Sequence, residues 1–82
     1  MTKTFTFTVV EREDAATKQT TYDVVRNDGH VSRSGLYREM AEGTAKLLNR
    51  YSAERWSKAR WKREVTSMML QAKWDHAVRV NN

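Results

Sequence analysis

The sequence has no cysteine and no proline, and only three glycines and two histidines. Without cysteine, disulfides and thiolate metal sites are excluded. Without proline, a Pro-rich linker or recognition tail is excluded. The glycines stand singly at 29, 35 and 43, so no phosphate-cradling glycine loop can form. His30 flanks a tight turn, and His76 follows Asp75 on a helix, where neighbours diverge by about 100° and make no ready dyad. No apolar run approaches the roughly 18 residues of a membrane span. The start, Met1-Thr2-Lys3-Thr4-Phe5, alternates polar and apolar residues and lacks the apolar core of a signal peptide. A cytoplasmic protein without membrane contact is expected, in the host cytoplasm if a phage encodes it.

Catalytic groups are also scarce. Acids occur singly, and the closest set, Glu11, Glu13 and Asp14, falls in or near a loop. Paired carboxylates need a defined separation and a cleft. No serine or threonine sits in a nucleophile elbow. The expectation is a non-enzymatic protein with no catalytic residue, no cofactor and no metal.

At 82 residues, 39% of them hydrophobic, the chain has material for one domain and one small core. A chain this short buries a small share of its surface, so a homodimer interface is an expected second source of stability.

Residues 4–10 alternate threonine with Phe5, Phe7 and Val9, a period of two that predicts a half-buried strand. Residues 11–19 are polar and read as a loop. Residues 20–26 form a second strand, and Asn27-Asp28-Gly29 signals a tight turn into a short third strand over 30–33. A two-residue loop puts Val31 on the face of Tyr22 and Val24. A three-residue loop with a bulge puts it beside Val25. The sequence leaves both registers open.

From residue 35 the period becomes helical. Leu36, Met40, Thr44, Leu47, Leu48 and Tyr51 share one face of a first helix over 35–51, capped by Ser34. Gly43 interrupts it, read as close packing against the sheet. A second helix is expected over 53–79, with Ser52 as N-cap and Glu54 in its first turn. The fold class is therefore α+β: a three-stranded antiparallel meander over 1–34 followed by two helices, β-β-β-α-α, in one domain over 1–82.

The second helix has two apolar faces. Trp61, Val65, Met68, Met69 and Ala72 fall on one side. Trp56, Ala59, Leu70, Trp74, Ala77 and Val78 fall on the other. One side can pack on the fold; the other is left as a partner or oligomer interface built from Trp56, Leu70, Trp74, Ala77 and Val78, unless the helix breaks near Thr66-Ser67 and both tryptophan sets join one core.

The net charge is +5, and residues 50–63 hold all of the excess: six bases against Glu54, with nine bases and nine acids elsewhere. Arg50, Arg55, Lys58, Arg60, Lys62 and Arg63 are interleaved with tryptophan. Cations that neutralise phosphates beside aromatics that stack on bases are the chemistry of nucleic-acid contact, with Trp56 or Trp61 the expected stacking residue. The bland alternative is a solvated face whose stems cover core tryptophans. Two functions stand open. One is contact with nucleic acid or a nucleoprotein complex through 50–63. The other is a protein–protein module, such as a small phage or mobile-element inhibitor of a host or defence complex, using the second apolar face.

Overall fold

A computed structural model describes residues 4–81. The leader reading at Met1-Thr2-Lys3 and the outermost ends of the expected 1–82 domain lie outside those residues. Three strands, β1 (Phe7–Glu13), β2 (Thr20–Arg26) and β3 (Val31–Leu36), precede two helices, α1 (Arg38–Glu54) and α2 (Lys58–Val80). The strands form one antiparallel sheet in the order β1-β2-β3. The α+β meander-then-helices architecture is the one the periodicities predict.

The boundaries differ in instructive ways. β1 begins three residues later than the apolar alternation and runs through Glu11-Arg12-Glu13, because pairing is set by the β1–β2 turn. Asp14 builds that turn: its carboxylate accepts from the Ala16 and Thr17 amides at 2.9 and 3.2 Å, and its own amide donates to the Gln19 carbonyl at 2.9 Å. Backbone pairing tolerates charge on an exposed edge strand, and Arg12 meets Asp23 across it at 3.3 Å.

Lys18 completes this turn at φ 58°, in the left-handed region. A lysine there carries steric strain of about 1–2 kcal/mol that glycine lacks. Lys18→Gly is expected to stabilise the protein, by less than about 1 kcal/mol once the looser unfolded chain is subtracted. Urea denaturation measures it; a loss of stability contradicts this account of the turn.

The second hairpin takes the three-residue loop. Arg26 accepts from the Gly29 amide at 2.9 Å and donates to the His30 carbonyl at 2.8 Å, with Gly29 at φ +92°. Val31 therefore pairs with Val25, and bulges on β3 bring Arg33 opposite Val24 and Leu36 opposite Tyr22. β3 runs on through Leu36, so α1 starts at Arg38 rather than 35, with Tyr37 in place of Ser34 at its N-cap.

Phe7, Val9, Tyr22, Val24 and Leu36 face α1 and pack on Ala41, Ala45 and Leu48. The side chain of Asn49 anchors the sheet to α1, accepting from the Phe7 amide at 2.7 Å and donating to its carbonyl at 3.0 Å. The layers are sheet, α1, then α2, which packs on α1 alone. Gly43 accordingly serves the α1–α2 contact and not the sheet: a Cβ there would stand 2.6 Å from the Met68 sulfur.

The helix junction is also displaced. Ser52 lies inside α1, which ends when Arg55 turns left-handed at φ 53° and its amide donates to the Tyr51 carbonyl. Ser57 is the true N-cap of α2, its hydroxyl accepting from the Arg60 amide at 3.2 Å. The rod expected over 53–79 is continuous only from Lys58 onward.

Candidate functional site

Moving the junction changes what Trp56 can do. It belongs to the turn, not to α2, and is 6% exposed, so it is core and not interface. Its indole N–H donates to Glu54 at 3.1 Å. The guanidinium of Arg50 lies 4.9 Å from the ring centre and that of Arg60 4.5 Å. Arg50 also bonds Glu54 at 3.1 Å, and Arg60 stands 3.8 Å from it. The indole donor and then Arg50 hold the Glu54 carboxyl below its ordinary pKa. Two arginines of the basic segment are thus engaged in covering a core tryptophan, as cation–π contacts and stem packing allow.

Trp61 is half-buried on the inner side of α2, edge-on to Tyr51 with ring centres 5.1 Å apart. Arg55 occupies the left-handed turn outside α2, so it does not share a helix face with Lys58 and Lys62. Lys58, Lys62 and Arg63 are exposed on α2. The 50–63 segment is therefore divided between a turn-locking cluster and three solvated cations.

The outer side of α2 matches the sequence expectation except for Trp56. Leu70 and Trp74 are each 68% exposed and Val78 45%, with Ala77 exposed between them. At i, i+4, i+7 and i+8 these residues form a stripe along the C-terminal half of the helix. Toward its N-terminal half the same face carries Arg63, Thr66 and Ser67. The inner side buries Ala72 and half-buries Val65 and Met68, whereas Met69, expected among them, is 45% exposed at the margin.

The sequence reading missed the fastening of α2's C-terminal end. His76 stacks on Tyr37 with ring centres 4.1 Å apart, and its Nδ1 lies 3.0 Å from Glu39. Arg79 donates to both Glu39 oxygens, at 3.0 and 2.7 Å. The available signal was that His76 and Arg79 continue the inner stripe of α2 one turn apart, as polar residues where apolar ones had run. Glu39 sits in the first turn of α1. Its pKa is pulled down to about 2, chiefly by Arg79 with help from His76, against the cost of desolvation.

Because the folded value lies below the ordinary one near 4.5, this contact stabilises the fold fully above that pH and fades as pH falls toward 2. Glu39→Gln is expected to cost about 1–3 kcal/mol at pH 7. The gap between variant and parent should close on acidification through that window. Thermal melts at stepped pH test this; a gap independent of pH removes the charge from the explanation.

Among the described residues no three of His, Asp and Glu cluster in a way that could hold a metal ion, and no helix is long and apolar enough to cross a membrane. The architecture defines a small α+β protein whose second helix packs one apolar side on α1 and exposes another. Comparison with protein-family models, curated proteins and solved structures gives no match.

Proposed function

We propose that this chain is a non-enzymatic protein–protein module that lays the outer face of α2 into an apolar groove of its partner. The observation that carries the reading is the pair Leu70 and Trp74, both 68% exposed, one helical turn apart. Large apolar side chains aligned and exposed on a folded domain are a mark of interaction surfaces. Anchors at i, i+4 and i+7 or i+8 are the spacing of helix-in-groove recognition, and tryptophan is a frequent hot spot.

The stripe spans only half the helix, which suits a groove better than a stable self-dimer, whose interface needs about 800 Å² per partner. Arg63 and Lys73 flank the stripe, so an acidic rim on the partner groove fits. A small inhibitor of a larger complex would use such a surface. The nucleic-acid reading retains Lys58, Lys62 and Arg63 but loses stacking by Trp56, which is enclosed by Arg50 and Arg60.

Affinity capture from lysate with and without nuclease treatment, with Trp74→Ala and a Lys58/Lys62/Arg63→Glu variant beside the parent, tests the reading. The expected result is a protein captured without nucleic acid, whose affinity falls at least thirtyfold with Trp74→Ala, about 2 kcal/mol. Capture that survives Trp74→Ala but vanishes with nuclease or with the charge variant transfers the function to nucleic-acid contact. Light scattering that shows a dimer dissociated by Trp74→Ala transfers the surface to a second copy of the chain.

A further inference from the structure

We infer that the groove enclosed by β3, α1 and α2 binds a small amphipathic carboxylate, a single anionic head on an alkyl or aryl tail. The groove measures about 410 Å³, within the range of small-molecule sites. It exists because α2 packs on α1 alone, drawn in where Gly43 admits Met68, and so stands off from the β3 edge of the sheet. Leu36, Met40, Trp61, Val65 and Met69 line it. These apolar walls favour a tail, and the unbranched, polarizable methionines can adapt to its shape.

The choice of an anionic head rests on Arg33, which lines the same groove. Opposite Val24, it occupies a position on the α1-facing side of the sheet, where the neighbouring residues are apolar. The other sheet arginines have carboxylate partners: Arg12 pairs with Asp23 and Arg26 with Asp28. Arg33 pairs with no carboxylate among the described residues; one Nη donates to the Ser32 carbonyl at 2.8 Å. Its remaining donors suit a carboxylate at the mouth of an apolar slot. Tyr37, also lining the groove, has its hydroxyl buried without a hydrogen-bond partner.

Titration of the full chain with decanoate below its micellar concentration, followed by amide chemical shifts, tests the site, with decanol as the uncharged control. Saturable shifts are expected at β3, Tyr37, Met40, Thr44, Val65 and Met69. Arg33→Gln, an exposed change that spares the core, is expected to weaken decanoate about tenfold or more and leave decanol unaltered. Val65→Phe should fill the groove and abolish binding of both; if that variant does not fold, the Arg33→Gln comparison decides alone. No saturable binding of decanoate at millimolar concentration overturns the proposal, as does equal binding by Arg33→Gln. Shifts centred on Leu70 and Trp74 overturn it too, since they place the ligand on the outer face of α2.

Discussion

Trp56→Ala is expected to leave the protein only marginally folded at room temperature. Removing a buried tryptophan costs about 3–5 kcal/mol in lost transfer energy and residual cavity. Folded domains hold only about 5–15 kcal/mol in total, and one this small lies toward the low end. The loss reaches past the ring itself. Glu54 loses its indole donor, and Arg50 and Arg60 lose the surface they cover. The turn between α1 and α2 then depends on the Ser57 cap and the left-handed Arg55.

Trp56→Phe separates the contributions. It keeps an aromatic surface for both guanidinium groups and deletes the N–H, so a loss of about 1–2 kcal/mol is expected. Urea unfolding followed by circular dichroism measures both variants. A Trp56→Ala protein as stable as the parent would return this residue to the docking surface, where the sequence alone had put it. Trp74→Ala is the control: at 68% exposure its removal should change stability by less than about 0.5 kcal/mol.

Gly43→Leu is expected to lift α2 off α1. Even the first added carbon meets the Met68 sulfur at 2.6 Å and its Cγ at 2.7 Å, so a branched side chain must expel Met68 from the contact or part the helices. Overpacking of a close helix contact costs about 3 kcal/mol. The cost should appear locally. Amides of α2 lose hydrogen-exchange protection first, while the sheet and α1, which share the core of Val24, Ala41 and Ala45, hold longer.

Gly43→Ala should behave differently. The gain of about 1 kcal/mol from helix propensity opposes the shift forced on Met68, so the net change stays within about 1 kcal/mol of zero. If leucine is tolerated as well as alanine, the close approach of the helices is not a constraint on the fold.

Strands, turns and helical period were legible because each is a local property. Threonine alternating with Phe5, Phe7 and Val9 announced a strand, although pairing with β2 slid it to Phe7–Glu13. Asp28-Gly29 announced the hairpin, but only the hydrogen bonds chose three loop residues over two. Ser52 and Ser57 are equally good caps by chemistry. The choice went to Ser57 because ending α1 at Arg55 lets the Trp56 ring turn inward, between two arginines and beside Glu54. No spacing rule contains that preference.

The candidate sites divide along the same line. The outer stripe of Leu70, Trp74, Ala77 and Val78 could be read directly, since three-and-four spacing puts side chains on one face whatever surrounds the helix. The fate of the cations could not. Arg50 and Arg60 are engaged at Trp56 while Lys58, Lys62 and Arg63 stay solvated, a distinction that depends on where the chain turns. The joining of Glu39 to His76 and Arg79, and of Arg33 to the groove, spans residues far apart in the chain.

By itself, then, the sequence determined the element types, their order, the basic excess and the amphipathic outer side of α2. Each follows from side-chain chemistry over a few neighbouring residues. The tertiary structure alone decided the hairpin register, the position of the helix junction, the enclosure of Trp56, the role of Gly43 and the existence of the groove. Those outcomes are competitions for buried space between distant segments, and only close packing resolves them.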